Sequence, residues 1–587
     1  MPQANKETVI DTLEAIAQML EMKGENMFKI RAYVNAARAL ETFTGDFQKA
    51  VAESTLIEIS GIGKAIAEKV TELVITGEMT FFNNLKAEFP PGIFEMFELQ
   101  GIGPKKIKIL WEDLGITTIA ELEKACQDGR IAEKRGFGKK TADNILKSIE
   151  DRKKHSGIYR LGEIAPDAER LLQELRELPE VSQVSIAGSY RRRKETVRDI
   201  DFIVATKSPE PVSDFFVKHS MVESVIAHGP TKSSVRLKNG IQADLRVVTN
   251  EQYPFALVYF TGSKEHNIAI RNRALSHGWT LNEYRLAPDE KAKKTPDPIP
   301  PVHTEEDLHR ALGLDYIVPE LREDRGEIVA AEAHQLPDLV ELENLRGTFH
   351  NHTTESDGRN TLEEMAEAAQ ELGLQYLGIA DHSKSSFQAH GLEVDRLMRQ
   401  VAQIRELNKQ WDGHFRIFSG IECDILKDGS LDFPDDVLAQ LDYVVASVHN
   451  AFSMPEAEMT DRIIRAISNR YVTFMGHLTG RLLLSREGYQ VDVPAVIEAA
   501  AQTETVIELN ANPRRLDMDW RWWPLAKEKG VKCVINPDAH STSTLQFLWF
   551  GVGAARKGWL TKKDVINCLP LGKIEAELAH KRKGSRA

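Results

Sequence analysis

Hydrophobic and polar positions follow three different spacings along the chain, and each spacing predicts a different kind of structure. In the first quarter, a hydrophobic residue, a G-x-G turn and the start of a helix recur three times, which predicts a series of helical hairpins. Apolar runs at 184–206 and 241–248 are interrupted by turn residues and read as strands. From residue 345, short apolar runs alternate with helix-like stretches such as NTLEEMAEAAQELG, the pattern of repeated βα units.

Length and composition limit the class of protein. A chain of 587 residues exceeds one ordinary hydrophobic core, so about three to five domains are expected. The 42% hydrophobic and 28% charged residues exclude wholesale disorder, collagen-like repeats and coiled-coil rods. Because the chain has no long apolar stretch and no signal-peptide profile at MPQANKETVI, we expect a cytoplasmic protein without a membrane partner.

Charge and cysteine content add two exclusions. A net charge of −13 argues against a uniformly basic nucleic-acid coat. The first 155 residues are nearly balanced, with 22 Lys and Arg against 24 Asp and Glu, so the acidity lies in the later domains. The 4 cysteines include no C-x-x-C pair, which argues against a disulfide framework or a cysteine zinc site.

The three G-x-G turns are each followed by lysine. Glycine permits positive φ and close backbone approach, so amide groups at the next helix N-terminus can face an anion. This pattern resembles the helix-hairpin-helix module, which implies that the turns hold duplex phosphates without reading bases. The alternative is a set of tight turns that bind nothing. The predicted DNA-binding residues are Gly61, Gly63, Lys64, Lys69, Gly101, Gly103, Lys105, Gly136, Gly138 and Lys139.

A carboxylate cluster is predicted in the middle of the chain. In SIAGSYRRRKETVRDIDFIVAT an apolar strand leads into the Gly188-Ser189 turn, a basic cluster and a second strand that starts with Asp199 and Asp201. Side chains alternate along a strand, so these two carboxylates point to the same face. Asp244 lies on another strand that sheet pairing can bring beside them. Three carboxylates suit a two-metal site, although an Asp pair in a solvated turn is the simpler alternative.

GSYRRRKETVRDID resembles the nucleotidyltransferase motif of family X DNA polymerases, typified by polymerase beta, and YFTGSKEHNIAIRNRAL resembles the thumb signature of that family. The resemblance implies that Asp199 and Asp201 hold two Mg²⁺ or Mn²⁺ ions and that Asp244 helps to activate the primer 3′-hydroxyl. The implied nucleotide-binding residues are Gly188, Ser189, Arg192, Tyr259, Phe260, Gly262, Asn267 and Arg271.

The sequence departs from the family pattern at two arginines, and the resemblance to the family extends to the N-terminal residues. Arg193 and Arg198 stand where glycine is common, which affects the amide contacts to the triphosphate. Residues 1–88 resemble the small 5′-phosphate-binding domain of the family, and Lys69 falls where some relatives carry a Schiff-base lysine. The alternative for Lys69 is an ordinary phosphate contact.

Polar residues able to bind metal end each of seven predicted strands between residues 345 and 536. In a β/α barrel these strand ends converge on one face. Imidazole and carboxylate without thiolate favour about three Zn²⁺, Mn²⁺ or Fe²⁺ ions, although a single histidine is more often structural. The nine predicted ligands are His350, His352, Asp357, His382, Glu422, His449, His477, Asp538 and His540.

This ligand set resembles the polymerase-and-histidinol-phosphatase (PHP) domain, and its fusion behind a family X polymerase resembles bacterial and archaeal DNA polymerase X. The implied fold is multi-domain α/β with a C-terminal (β/α)7 barrel. The implied segments are a helical 5′-phosphate-binding domain at 1–88, a helix-hairpin-helix domain at 89–155, a palm at 156–250, a thumb at 251–316, a linker at 317–344 and a PHP domain at 345–580.

The resemblance implies a monomeric DNA repair enzyme that fills short gaps, with gapped or nicked duplex DNA and dNTPs as partners. Its PHP domain is expected to act as a 3′-5′ exonuclease, to cleave at abasic sites or to remove 3′-phosphates. Two other interpretations stay open. In one, a PHP phosphoesterase is tethered to DNA by an inactive polymerase half. In the other, an active polymerase carries a PHP domain that is only a metal-stabilised scaffold.

Overall fold

The computed structural model describes residues 6–41, 43, 47–97, 99, 102–154, 157–290, 298–411 and 413–583. The chain divides into two compact units, Met1–Ser156 and Gly157–Ala587. Gly101, one of the predicted DNA-binding glycines, lies outside the described residues. Within the described ranges, no helix is long and apolar enough to cross a membrane.

The first unit is helical, as predicted. Apolar residues at helical spacing, including Leu13, Val70 and Ile107, are fully buried in one core. The α-helices of its described residues are α1 (Lys6–Lys23), α2 (Met27–Glu41), α3 (Phe47–Ala52), α4 (Lys64–Thr76), α5 (Thr80–Ala87), α6 (Pro91–Met96), α7 (Pro104–Leu114), α8 (Ile119–Gln127), α9 (Arg130–Glu133) and α10 (Gly138–Lys154).

The G-x-G turns precede three of these helices. Gly63 and Gly103 are the N-cap residues of α4 and α7, and Gly138 is the first residue of α10. Gly61 and Gly136 have φ values of 100° and 95°, a conformation that glycine adopts without the steric cost of a Cβ atom. The predicted order of turn and helix is therefore present in the described parts of all three copies.

The second unit begins with the five-stranded sheet of the palm, in the order β2-β4-β7-β6-β5. Strands β4 and β7 are parallel, and the other neighbouring pairs are antiparallel. Both faces of β4 are covered, because Phe202 packs in one hydrophobic cluster and Ile203 in another. The palm contains β1 (Tyr159–Arg160), α11 (Leu161–Arg176), β2 (Val181–Ile186), α12 (Gly188–Arg191), β3 (Thr196–Val197), β4 (Asp199–Thr206), α13 (Pro209–Val217), β5 (Val222–Ala227), β6 (Lys232–Leu237) and β7 (Gln242–Val248).

The thumb and the segment that follows it share one core, which contains Val258, Ile270, Leu321 and Ala331. Their elements are α14 (Tyr253–Thr261), α15 (Lys264–Ser276), β8 (Trp279–Leu281), β9 (Leu286–Pro288), α16 (Glu305–Ala311) and α17 (Glu327–Glu332).

Residues 317–344, which composition suggests as a linker, contain buried charged side chains as well as exposed ones. Arg322 and Glu327 are both fully buried. Arg322 Nη1 lies 2.9 Å from Glu305 Oε1, and Glu327 Oε1 lies 2.8 Å from His266 Nδ1. Buried charges require partners, so the charged composition of this segment serves internal ion pairs as well as solubility.

The C-terminal region is a ring of parallel strands. Parallel bridges between His382 and Glu422 and between Asn351 and Ala539 join its two sheets. Strands β12 and β13 form one strand interrupted at 420–421, so the ring has the seven strands that the sequence predicts. The strands are β10 (Gly347–Thr348), β11 (Tyr376–Ile379), β12 (Arg416–Ser419), β13 (Glu422–Asp424), β14 (Val445–Ser447), β15 (Phe474–Met475), β16 (Val506–Asn510) and β17 (Cys533–Asn536).

Aromatic side chains fill one layer of the barrel interior, where Phe349 contacts Tyr376, Phe418, Tyr443 and Phe474 with ring centroids 5.1–5.7 Å apart. The histidines that follow these aromatic residues in sequence therefore lie next to a packed layer of side chains. The surrounding helices are α18 (Leu362–Glu371), α19 (Val394–Asn408), α20 (Asp435–Leu438), α21 (Glu456–Ile467), α22 (Val493–Gln502), α23 (Trp523–Glu528), α24 (Leu548–Lys557) and α25 (Leu571–Lys583).

Candidate metal centres

The three palm carboxylates lie on two adjacent parallel strands. Asp199 and Asp201 belong to β4, and Asp201 is the register partner of Asp244 on β7. The turn at Gly188 passes directly over this pair with φ 63°. A Cβ atom at Gly188 would lie 2.5 Å from Asp201 Oδ2, so only glycine fits there. The predicted G-S turn and D-x-D pair thus form one compact constellation.

Electrostatic repulsion within the palm cluster favours a bound cation. Burial, and then the charges of Asp199 and Asp244, raise the pKa of Asp201 to about 7. Lys232 Nζ lies 3.3 Å from Asp244 Oδ2 and offsets part of the negative charge. A divalent ion relieves the same repulsion more fully, so these residues fit the predicted metals.

The three palm carboxylates do not by themselves form a closed set of metal ligands. Within the described ranges, groups of three or more potential ligand atoms within 4.8 Å of one another are found in the barrel and not in the palm. Mg²⁺ commonly takes one or two carboxylates and completes its shell with water and substrate phosphates. The palm geometry therefore suits ions that arrive with a nucleotide.

The predicted triphosphate turn is tied to the thumb. Arg191 Nη1 donates to Thr261 Oγ1 at 2.8 Å, and Arg192 Nη1 donates to Thr261 O at 2.5 Å. Arg191 also forms a two-point ion pair with buried Glu305. Ser189 is half-buried beside them. The turn and the start of the thumb therefore form one hydrogen-bonded unit.

The thumb residues predicted to face the nucleotide lie together around the end of α14 and the start of α15. The rings of Tyr259 and Phe260 have centroids 5.1 Å apart. Asn267 Nδ2 donates to Tyr259 O at 2.7 Å, and Arg271 Nε donates to Asn267 O at 3.3 Å. Gly262, with φ 65°, makes the turn between the two helices. The structure thus brings all five residues to one place.

Three of the four predicted DNA-binding lysines are exposed, and Lys69 is the fourth. Lys64, Lys105 and Lys139 are all exposed close to the starts of their helices. Lys69 is half-buried, donates to Ala65 O at 3.0 Å and lies 5.1 Å from the centre of the Phe81 ring. These contacts test neither of the roles expected for Lys69, which stay predictions.

All nine predicted barrel ligands converge at the C-terminal ends of the strands. The donor atoms of eight of them form three groups, of which the first shares His352 with the second and His382 with the third. The ninth, His477, lies with its Nε2 atom 3.0 Å from Glu422 Oε1. The groups are His352, Asp357, His382 and His540; His350, His352 and Asp538; and His382, Glu422 and His449. These groups could hold metal ions, and the number of about three ions stays a prediction.

Unpaired buried atoms test whether metal fits this cluster. His350 Nε2, His352 Nδ1, His382 Nδ1 and Glu422 Oε2 are buried and make no well-aligned hydrogen bond, although His382 Nδ1 lies 2.8 Å from Glu422 Oε2 and His350 Nε2 lies 3.3 Å from Glu422 Oε1. Leaving such a group unsatisfied costs about 1–3 kcal/mol. A divalent cation would use these lone pairs as ligands, so the residues fit the predicted metals.

The charges of the cluster are strongly coupled. Burial opposes the charge of Glu422, but His350, His449 and His382 hold its pKa well below the ordinary value. Burial, followed by His540 and His382, lowers the pKa of His352 to about 4. Burial also opposes the charge of His449, but Glu422 and Asp424 raise its pKa to about 9, and, against the effect of burial, the neighbouring carboxylates raise the pKa of His350 and His382 well above the ordinary value. Metal binding at this site would therefore displace protons from imidazole, whereas the Glu422 carboxylate is already ionised.

Two residues outside the predicted ligand set orient histidines within it. Glu508 Oε2 lies 2.7 Å from His350 Nδ1, and Asp424 Oδ1 lies 2.6 Å from His449 Nδ1. Carboxylates in this position fix the tautomer and direction of a ligating imidazole. Each stands two residues from a polar strand-end residue, in E-C-D and E-L-N, and strand alternation was the signal that could have identified them.

One arginine faces the metal cluster. Arg515 Nε lies 3.5 Å from Asp538 Oδ2, and its positive charge helps to lower the pKa of His477 after the larger effect of burial. Arg481, which directly follows this region in sequence, instead binds Asp519 and backbone carbonyl groups. Arg515 is therefore a cation placed to meet a substrate phosphate at this site.

Family models match four regions of the chain and confirm the predicted helix-hairpin-helix, thumb and PHP modules. The matched models are a helix-hairpin-helix domain at residues 4–79, a SAM-like helix-hairpin-helix tandem at 94–151, a DNA polymerase beta thumb at 256–323 and a PHP domain at 348–512.

Curated relatives match both the whole chain and its parts. "DNA polymerase lambda" of Rattus norvegicus is 24% identical over 54% of this chain and 56% of its own length. A "probable phosphatase" of Thermoanaerobacter sp. (strain X514) is 28% identical over 40% of this chain and 94% of its own. "DNA polymerase/3'-5' exonuclease PolX" of Bacillus subtilis (strain 168) is 38% identical over 98% of this chain and 99% of its own. The chain therefore belongs to the PolX family of DNA polymerase/3′-5′ exonucleases.

Proposed function

We propose that the protein fills short gaps in DNA with its palm and thumb and removes 3′-terminal nucleotides with its PHP barrel. The observation that carries this proposal is the presence, in one chain, of Asp199, Asp201 and Asp244 under the Gly188 turn and of nine converging barrel ligands. The relative of Bacillus subtilis, whose name includes both activities, supports it over nearly the full length.

In the polymerase reaction, Asp199 and Asp201 would hold two Mg²⁺ or Mn²⁺ ions, and Asp244 would help to activate the primer 3′-hydroxyl. When bound, such ions neutralise the charge that develops in an in-line displacement. Gly188, Ser189 and the Arg192 guanidinium would orient the triphosphate. The protein contributes mainly position and electrostatic complementarity, which is how phosphoryl transfer is generally catalysed.

The thumb would check the incoming nucleotide. Tyr259 and Phe260 would face the sugar, Asn267 would reach the minor-groove edge of the new base pair and Arg271 would contact the template strand. Two hydrogen bonds support a shared role for Asn267 and Arg271, because they tie the Asn267 amide to the Tyr259 backbone and the Arg271 guanidinium to the Asn267 backbone. Gly262 would give the turn its close approach to the nucleotide.

In the barrel, the nine ligands would hold about three Zn²⁺, Mn²⁺ or Fe²⁺ ions. When bound, these ions neutralise phosphate and activate water for hydrolysis. The remaining work falls to the chain, since Glu508 and Asp424 orient His350 and His449. The substrate would be the 3′-terminal phosphodiester of DNA; abasic-site cleavage and 3′-phosphate removal are the other expected reactions.

The test uses a 5′-labelled primer across a one-nucleotide gap, incubated with Mg²⁺ or Mn²⁺, with and without dNTPs. Extension by one nucleotide with dNTPs and stepwise shortening without them are the expected results. Shortening without any extension would support the alternative of a tethered phosphoesterase, which the similarity to a "probable phosphatase" over 94% of that protein's length favours. Extension without any hydrolysis would support a PHP scaffold. The expected monomeric state stays a prediction.

Arg515 is expected to bind substrate phosphate during hydrolysis. Arg515→Ala should lower the rate of 3′ shortening by about tenfold to a hundredfold, because a charge-assisted hydrogen bond contributes about 1.5–3 kcal/mol. Single-turnover rates on labelled single-stranded DNA measure the effect. The control is Arg514→Ala, which removes the exposed neighbouring arginine. Equal losses in both variants would show that only general surface charge matters.

Salt dependence is expected to report the phosphate contacts of the helical hairpins. Each contact releases counterions, so Lys139→Ala should reduce the slope of log K against log salt by about 1. Fluorescence anisotropy with labelled gapped duplex between low and moderate salt measures the slope. Lys147→Ala, further along the same helix and also exposed, is the matched control. An unchanged slope for Lys139→Ala would remove this hairpin from the DNA interface.

A further inference from the structure

Residues of the PHP barrel contact the predicted triphosphate turn of the palm. The guanidinium carbon of Arg193 lies 3.4 Å from the centre of the Trp549 ring, and Arg193 has φ 56°. Glu195 Oε1 accepts a hydrogen bond from Arg521 Nη1 at 3.1 Å. Lys557 Nζ, at the end of α24, donates to Arg192 O at 2.9 Å. Three contacts, at Arg192, Arg193 and Glu195, thus tie the turn to the barrel.

The contacts of Arg193 explain why an arginine stands where the family pattern commonly has glycine. Its side chain lies against Gly553 on α24, where an added Cβ atom would come within 3.2 Å of the arginine. Together with the stacking on Trp549, this contact gives the large side chain a defined place in the interface between palm and barrel. The substitution therefore serves attachment of the barrel to the turn.

Glu323 connects the barrel to the nucleotide-binding arginine. Its Oε1 atom lies 2.7 Å from Lys557 Nζ and 3.1 Å from Arg192 Nε. The side chains of Lys557, Arg192 and Glu323 are 0%, 11% and 12% exposed. Both cations thus compete for the same oxygen atom of a largely buried carboxylate.

This geometry sets up a competition between Glu323 and a triphosphate for Arg192. The guanidinium has to leave or share Glu323 in order to bind phosphate oxygens. Lys557 offsets the charge of Glu323 and so weakens its hold on Arg192. Because water is largely excluded, the interaction between these charges is stronger than at a solvated surface.

We propose that Lys557, a residue of the PHP barrel, is a positioning residue for the polymerase reaction. By neutralising Glu323 it makes the Arg192 guanidinium available to the triphosphate of the incoming dNTP. The barrel therefore contributes to nucleotide affinity as well as carrying its own hydrolytic site. This inference rests on the proposed gap-filling function and on the role of Arg192 in it.

The test is Lys557→Met in single-nucleotide gap filling. The KM for dNTP should rise by about tenfold with kcat nearly unchanged, since the variant alters nucleotide binding more than the chemical step. Shortening of 3′ ends in the absence of dNTPs should stay within about twofold of wild type. The retained shortening shows at the same time that the barrel is folded.

A second variant separates a charge effect from a loss of packing. Lys557→Met combined with Glu323→Gln should return the KM for dNTP to within about twofold of wild type, because the competing charge is then gone. The matched control is Arg556→Met, which removes the neighbouring cation of α24 that pairs with Glu320 and Glu341. Its KM for dNTP should remain close to wild type.

Three results would overturn the inference. They are an unchanged KM in Lys557→Met, a raised KM that Glu323→Gln does not restore, and an equal rise in Arg556→Met. The last two would mean that the interface acts only through packing. Failure of the proposed function is distinguishable from all three, because wild-type protein would then add no nucleotide at all.

Discussion

Replacing Asp201 by asparagine is expected to abolish nucleotide addition and to leave 3′ shortening intact. Asp201 lies between Asp199 and Asp244 and directly below the turn at Gly188, so it belongs to the most confined part of the palm cluster. Asparagine keeps the shape and removes the charge that divalent ions require. Loss of several kcal/mol of charge stabilisation corresponds to a rate reduction of at least about a thousandfold.

Primer extension and primer shortening on the same gapped substrate measure both halves of this prediction. Asp214→Asn is the control, because Asp214 is a palm aspartate that forms a surface ion pair with Lys218 at 2.6 Å. That variant should extend primers at the wild-type rate. If Asp201→Asn also stopped 3′ shortening, the two sites would not be independent, and the division of labour proposed for the two halves would have to be abandoned.

Replacing Glu422 by glutamine is expected to have the opposite effect. One carboxylate lies 3.3 Å from His350 Nε2, 2.8 Å from His382 Nδ1, 3.2 Å from His449 Nε2 and 3.0 Å from His477 Nε2. It is the residue that most of the cluster surrounds, and a neutral amide cannot hold this set of ligands around shared cations. We expect loss of barrel metal and a reduction of 3′ shortening by at least about a hundredfold, with extension retained.

Elemental analysis of the purified protein measures the bound metal, and the labelled-primer assay measures both activities. Glu355→Gln is a suitable control, since Glu355 is half exposed in the loop after His352 and pairs with Arg396. Full metal content together with full loss of shortening would give Glu422 a role in the chemistry itself. Loss of metal with unchanged shortening would contradict the assignment of hydrolysis to the barrel.

The barrel ligands could be predicted from sequence because of a general property of parallel strands. His350, His382, His449 and His477 each follow a short apolar run, and the carboxyl ends of parallel strands meet on one side of a barrel. Local spacing was therefore sufficient to assemble residues that lie more than a hundred positions apart. In the palm, strand alternation and sheet pairing allowed Asp244 to lie beside Asp201, and the structure places the two on neighbouring strands.

Other features depended on information that local spacing does not contain. Glu508 and Asp424 have the residue type and alternation of ligands, yet the pattern cannot distinguish a metal ligand from a residue that orients one. Residues 317–344 have the composition of a linker, and the burial of Arg322 and Glu327 becomes visible only when their partners are in place. Buried ion pairs are determined by long-range packing.

By itself, the sequence determined the order of turn and helix in the hairpins and the strand ends that carry the candidate ligands, because each follows from periodicity within a few residues. The module types followed from the resemblance of its motifs to a known family. Only the tertiary structure decided how the modules are coupled. Glu323 meets Lys557 across 234 positions of sequence and Arg192 across 131. Such a three-residue contact depends on how the barrel packs on the palm, and no spacing rule along the chain encodes that packing.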